Sequence, residues 1–220
     1  FLGAGHFDPL IDALARTAQR AAAVLDGCLV DVGAGTGEYL VAALERTPGR
    51  IGLALDISKH AARRAARASE RIGAVVCDAW GRLPLQDSIA AAVLSVFAPR
   101  NAAEFARVLQ PGGALIVVTP TGRHLAELLG PLGMVRVDPD KQDRIESALS
   151  PYFAQQSAVT IEAALSLTRA DAVAAARMGP SAHHLARGEA ETRAADLEEP
   201  MAVTLSATVS VWMVGEAQTQ

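Results

Sequence analysis

The segment Leu29–Leu40, LVDVGAGTGEYL, constrains the fold of this 220-residue chain more than any other. An apolar strand enters it through Asp31, glycines alternate at positions 33, 35 and 37, and a helix-like stretch follows. Glycines at such a turn let the backbone pass close to a ligand with no Cβ in the way. In parallel α/β sheets, ligands bind beyond the carboxyl ends of the strands, where this loop falls. In a dinucleotide fingerprint the third glycine follows the second by three residues and lets the helix pack on the strand. Here that position is Glu38, so a dinucleotide-dependent dehydrogenase is the weaker reading of the loop.

The flanking pattern extends the same architecture. A helix is predicted over 8–24, opened by Asp8 as N-cap and Pro9 at the first helical position and closed at Gly27. Strands at 28–32, 51–55, 74–77, 90–97 and 114–119 alternate with helices at 37–46, 58–72 and 102–109. Beyond these, the pattern predicts a helix over 122–129, an irregular stretch over 130–143 and a strand over 157–167. A helix over 169–178, a turn at Gly179-Pro180, a charged helix over 189–197 and a last strand over 202–214 complete it. Regular alternation implies a parallel sheet with helices on both faces. No apolar run approaches the roughly 18 to 20 residues of a membrane span, and no signal peptide is evident. Cys28 and Cys77 lack zinc spacing and read as buried thiols, which suits a reducing cytoplasm.

Several polar residues fall at strand ends, where chemistry is expected. Asp56, nineteen residues after Gly37, is placed to accept both hydroxyls of a ribose, or else to cap the next helix. Asp78 and Ala79 end the third strand, as an adenine contact or a plain turn. Lys59, Arg63, Arg67 and Arg71 recur every fourth residue and form a basic stripe, either a solvated helix back or a phosphate-facing surface. The formal net charge of −4 argues weakly against nucleic acid as a partner.

In order and spacing, Asp31, the glycine loop, Asp56, Asp78, Leu83-Pro84 with Asp87, and Pro111-Gly112-Gly113 resemble the class I S-adenosylmethionine-dependent methyltransferases. The resemblance implies a Rossmann-like α/β fold, with a mostly parallel seven-stranded sheet, helices on both faces and an antiparallel closing strand. It implies S-adenosyl-L-methionine held by Asp31, Gly33, Gly35, Thr36, Gly37, Asp56, Ile57, Asp78 and Ala79. Four rarer segments, Phe1–Leu10, Phe97–Pro99, Thr119–Leu128 and Met178–Ser181, resemble the guanine-N1 methyltransferases of large-subunit (23S) ribosomal RNA, a family that includes macrolide-resistance enzymes.

That second resemblance implies that Phe7 packs on the cofactor, that Gly35 and Thr36 bind its methionine end, and that His124 reaches the cofactor site. His124 otherwise reads as a helix-start residue, and His6 as a packing residue. Residues 1–220 would form one methyltransferase domain, with 1–27 closing on the cofactor and 120–200 supplying substrate-side insertions. Family members carry a zinc-binding module upstream of the Phe-Leu segment; none is present in this chain, and no metal site is predicted within it. Large-subunit ribosomal RNA is the expected partner, the location cytoplasmic and not membrane-bound, and a homodimer stays open.

Guanine N1 carries a proton, so methylation needs a base or a stabilised enolate. No acidic residue lies in Phe97-Ala-Pro-Arg100, and the general base is unassigned. Phe97 reads as a stacking platform for an extruded guanine or as core, and Pro99 as a pocket wall. Arg100, Arg123 and Arg136 are candidates for phosphate or guanine O6. Two competing functions share the generic motifs: a small-molecule methyltransferase of secondary or quinone metabolism, and a non-catalytic cofactor-binding scaffold.

Overall fold

The computed structural model describes residues 2–138, 140–178, 186 and 188–214. Eight α-helices and seven strands are assigned among them: α1 (Asp8–Ala21), β1 (Cys28–Val32), α2 (Glu38–Glu45), β2 (Gly52–Asp56), α3 (Lys59–Ala68), β3 (Ile72–Val76), β4 (Ala90–Val96), α4 (Ala102–Val108), β5 (Leu109–Pro120), α5 (Ala126–Leu132), α6 (Lys141–Leu149), β6 (Phe153–Leu167), α7 (Arg169–Met178), α8 (Glu189–Ala194) and β7 (Met201–Val214). The strands form one sheet in the order β3-β2-β1-β4-β5-β7-β6. The pairs β3–β2, β2–β1, β1–β4 and β4–β5 are parallel. The order reverses at β1, so the crevice between β1 and β4 is the topological switch point, where such sheets bind ligands.

The chain divides into two compact units. The larger comprises Leu10–Thr119, Gln142–Val159 and the described part of Thr208–Gln220. Every residue of β1 and β4 is buried, as expected of central parallel strands covered on both faces. Their inward residues join Phe105, Val108, Leu115, Val117, Ile145, Leu149, Phe153 and Trp212 in one core. The indole of Trp212 is satisfied there, since Nε1 donates to Ser210 Oγ at 2.9 Å and that hydroxyl donates to the Val117 carbonyl at 3.3 Å. The smaller unit comprises the described part of Phe1–Pro9, Pro120–Lys141 and Thr160–Ala207, with α5, α7 and α8 packed together.

Two sequence expectations are corrected. The helix predicted over 58–72 ends at Ala68, because Ser69 is extended and Ile72 already pairs with Gly52 in the sheet. Residues 130–143 are not irregular throughout. Helix α5 continues to Leu132 and α6 begins at Lys141, with Ile145 and Leu149 buried in the larger unit's core. The last strand completes the expected seven-stranded sheet, with β7 inserted between β5 and β6. The Gly179-Pro180 turn lies outside the described residues.

Candidate functional site

The loop after β1 takes its shape from its glycines. Gly33, Gly35 and Gly37 have φ of 73°, 56° and 91°, a region that side chains with a Cβ rarely adopt. Packing adds to this at two of them. A Cβ on Gly33 would lie 2.6 Å from that of Ala98, and one on Gly37 would lie 3.1 Å from that of Ala65 in α3. Gly35 differs, since a Cβ there would meet no atom of the described residues within 4 Å. The loop is tied to the end of β2: Gly33 and Ala34 donate to the Leu55 carbonyl at 2.8 and 3.0 Å, and Gly35 donates to Asp56 Oδ2 at 2.8 Å. The hydroxyl of Thr36 hydrogen-bonds Glu38.

Asp56 Oδ1 accepts from the Ser58 amide at 2.8 Å. Ser58, not Asp56, is the N-cap of α3, its Oγ accepting from the Ala61 amide at 3.3 Å. A carboxylate offers about four acceptor positions, so Asp56 can still take hydroxyl donors. Ile57 beside it is exposed.

Asp31 is the electrostatic anomaly of the loop. It is 1% exposed, and neither carboxylate oxygen has a hydrogen-bond partner among the described residues. Burial, and secondarily the charge of Asp56, push its pKa up to about 7. An unpartnered buried carboxylate is costly, and a cation that hydrogen-bonds it would offset that cost. S-adenosylmethionine carries an ammonium at its methionine end. A buried acid without a donor, open space at Gly35 and a carboxylate at the end of β2 all fit such a donor.

The loops after β3 and β4 are strapped together. Asp78 is exposed and its Oδ1 accepts from the Trp80 amide at 2.9 Å, with Ala79 half-buried between them. Asn101 caps α4 through Oδ1, and its Nδ2 donates to the carbonyls of Trp80 and Gly81, both at 3.1 Å. Arg107 clamps the Leu83–Asp87 segment. It donates to the Leu83 and Leu85 carbonyls at 3.0 and 2.9 Å and pairs with Glu104 and Asp87, while Glu104 accepts from the Leu83 amide at 2.7 Å. Sequence reading missed Trp80 and Asn101. An exposed tryptophan just after a strand-ending acid was a usable signal, but the Asn101 strap exists only through space.

At the end of β4, Phe97 takes a left-handed conformation (φ 51°) and is 40% exposed, with its amide donating to the Val118 carbonyl at 3.1 Å. Ala98 packs beneath Gly33 and Pro99 is exposed. Arg100 is half-buried, burial lowers its pKa, and it has no hydrogen-bond or ion-pair partner among the described residues.

The remaining predicted residues lie in the smaller unit. Phe7 is buried and meets His124 edge-on, with ring centroids 5.6 Å apart. His124 Nδ1 accepts from the Ser206 amide at 3.3 Å. Burial, and then Lys141, lower its pKa to about 4. The ring is therefore neutral, and its proton is assigned to Nε2 because Nδ1 is an acceptor. Arg123 pairs with Glu162 at 3.0 Å, Glu162 also accepts from Ser206 Oγ at 2.9 Å, and Arg136 is exposed. His6 does more than pack, since it lies 3.1 Å from an Asp171 carboxylate oxygen. Phe1 and Gly179–Ser181, parts of two resemblance segments, lie outside the described residues.

Comparison with known proteins follows the same lines. The Methyltransferase domain family matches residues 29–113. A Streptomyces fradiae protein named 23S rRNA (guanine(748)-N(1))-methyltransferase is 45% identical over 211 residues, covering 96% of this chain and 75% of that protein. A Micromonospora griseorubida protein bearing the 23S rRNA guanine-N1-methyltransferase name is 48% identical over 217 residues, covering 93% and 74%. Solved structures resemble the chain in fold alone. The Bacillus subtilis YcgJ protein matches with TM-score 0.60 at 16% identity over 92% of this chain and 97% of its own. Geranyl diphosphate methyltransferase in complex with GPP and sinefungin matches with TM-score 0.54 at 15% identity, covering 91% and 78%. Sequence identity near one half, sustained along almost the whole chain, joins the fold and the loop geometry in one conclusion: the chain belongs to the 23S ribosomal RNA guanine-N1-methyltransferase family, S-adenosylmethionine-dependent enzymes of class I fold.

Proposed function

We propose that this enzyme transfers the methyl group of S-adenosyl-L-methionine to N1 of a guanine in 23S ribosomal RNA. The observation that supports this most is the 45% to 48% identity to relatives of that name over at least 93% of the chain. The donor supplies an electrophilic methyl for in-line displacement, in which alignment does most of the work. Asp56 would hold the ribose hydroxyls, Asp31 and the Gly33–Gly37 loop the methionine end, and Ile57, Asp78 and Ala79 the adenine. Phe7 and His124 are read as further donor contacts.

On the acceptor side, N1 lies on the Watson–Crick edge, so the guanine must be extruded from any paired stem. Phe97 and Pro99 would form the platform for it. Arg100, desolvated and without a partner among the described residues, is placed by this reading against O6, where a guanidinium stabilises the enolate formed when solvent water takes the N1 proton. Arg123 is committed to Glu162 and is the weaker candidate, with Arg136 available for phosphate. Modification of ribosomal RNA would place the enzyme in the cytoplasm; among the described residues no helix is long and apolar enough to cross a membrane.

The test is methyl transfer from labelled donor to ribosomal RNA from a strain lacking the modification, with primer extension to locate the product. One strong stop at a guanine is expected. Donor binding without any such stop would overturn the RNA reading in favour of a small-molecule acceptor. Protection against macrolides is read separately, as a raised inhibitory concentration on expression in a sensitive host.

A further inference from the structure

Helix α3 breaks two local electrostatic rules at once. Lys59, His60, Arg63, Arg64 and Arg67 occupy half of its ten residues, and no acidic residue accompanies them. The macrodipole disfavours cations in a first turn, and like charges three or four residues apart repel by a few tenths of a kcal/mol per pair. The other seven α-helices each carry an Asp or Glu in the first turn. Only α3 has none there and begins with Lys59 and His60 instead.

Nothing among the described residues compensates. All five side chains are exposed, and none has a hydrogen-bond or ion-pair partner among the described residues. Four other arginines of the larger unit are engaged, Arg16 and Arg46 on Asp12, Arg107 on Asp87 and Glu104, and Arg50 on three carbonyls, whereas Arg20, Arg82 and Arg100 stand singly with no hydrogen-bond or ion-pair partner among the described residues. Arg71, which the every-fourth-residue spacing placed in the stripe, lies beyond the helix and donates to the Thr47 carbonyl at 3.2 Å. At about 100° per residue the five cationic positions span an arc of roughly 140°, opposite the buried Ala62 and Ala65. Four of the chain's twenty Lys and Arg fall within the ten residues of α3, which hold no Asp or Glu, in a chain of net charge −4.

The helix also belongs to the cradle wall. Its N-cap Ser58 donates to Asp56, and Ala65 closes on Gly37. We infer that the outer face of α3, Lys59, Arg63, Arg64 and Arg67 with His60, grips the phosphate backbone of the RNA substrate beside the methylated guanine. This rests on the RNA reading given above. Cations kept where they cost helix stability, with no internal partner, mark a surface whose partner is external and anionic. A polyanion with closely spaced charges matches four cations on one face better than isolated carboxylates would.

The test compares wild type with the quadruple variant Lys59→Gln, Arg63→Gln, Arg64→Gln, Arg67→Gln. The readouts are binding of a 23S rRNA hairpin fragment as a function of salt, donor binding by calorimetry, and thermal unfolding. Glutamine keeps helix propensity and removes repulsion, so the variant should fold with an unchanged or raised Tm. Two to four lost phosphate contacts, at about 0.7 in log–log salt slope each, mean that wild-type affinity falls between about 50 and 200 mM salt by roughly 7- to 50-fold more than the variant's. KM for RNA rises, with kcat and donor affinity unchanged. Arg16→Gln, on α1 and paired with Asp12, leaves the slope as in wild type. A variant with unaltered slope and KM, in an enzyme that still methylates RNA, overturns the α3 assignment alone and leaves α3 to an acidic protein partner. A wild-type enzyme that neither binds nor methylates RNA overturns the underlying function and this inference with it.

Discussion

Replacing Asp31 by asparagine is expected to stabilise the donor-free protein above neutral pH while weakening its hold on S-adenosylmethionine. The carboxyl is buried, lacks a hydrogen-bond partner, and has its pKa raised to about 7 from an ordinary 3.8. Between those values the native state keeps a proton that the unfolded chain has released, so stability falls as pH rises and the full cost is in place above about pH 7. At 1.36 kcal/mol for each factor of ten, the cost is about 4 kcal/mol. Asparagine removes the charge but leaves a buried amide whose own unmet hydrogen bonds cost about 1–3 kcal/mol. The net gain at about pH 8.5 is therefore about 1–3 kcal/mol, or roughly 2–10 °C in Tm for a domain of this size. At about pH 5 the wild-type carboxyl is protonated, so the gain vanishes or reverses. Thermal unfolding of both proteins at the two pH values, at matched ionic strength, reads this directly. Calorimetry in buffers of different ionisation enthalpy should also show wild type releasing protons on binding the donor near pH 7, and the variant not. A Tm difference that does not change between the two pH values would refute the argument, because it would mean that Asp31 is already ionised and partnered.

The loop glycines should separate stability from binding. Gly37→Ala sets a Cβ 3.1 Å from that of Ala65 at φ 91° and should cost about 1–3 kcal/mol in denaturant unfolding. Gly35→Ala carries only the backbone penalty of about 1–2 kcal/mol but should lower donor affinity at least tenfold by calorimetry; retained affinity would mean that the open space is not the donor's. Asp56→Ala should weaken donor binding comparably, and an unchanged dissociation constant would contradict the ribose assignment. His124, with its pKa lowered to about 4 from 6.5, is neutral in the native state where the unfolded chain takes up a proton, so it removes stability as pH falls through that window. His124→Gln should flatten the acid limb of a Tm-against-pH curve. The kcat/KM profile should show no histidine limb near pH 6.5, and a limb there that the substitution abolishes would show that the ring titrates.

The framework of the candidate site was legible where its signals are local. Gly33, Gly35 and Gly37 announce positive φ, and Asp56 and Asp78 follow apolar strands at their expected ends. What stayed hidden depends on neighbours remote in sequence. Ser58 takes the helix cap that Asp56 was also suited to, and Arg71 leaves the basic stripe once Ile72 pairs with Gly52. Asn101 straps a loop twenty residues away. Helix α6 begins inside the Pro-containing stretch 130–143 read as irregular and runs on through residues given no element, because among its nine residues only Ile145 and Leu149 are buried against the core.

The order of the strands and of every α-helix but α6, the glycine turn after β1 and the family were readable from the chain alone, because they are written in short-range spacing and in identity along it. The tertiary structure alone decided which charges have partners. Among the described residues it left Asp31 buried without one, Arg100 desolvated without one, and the cations of α3 exposed without one, while it satisfied Arg50, Arg71 and Arg107. The reason is physical: a side chain's solvation and hydrogen bonding are set by whichever atoms the fold brings within about 3 Å, and composition and spacing do not encode that neighbourhood.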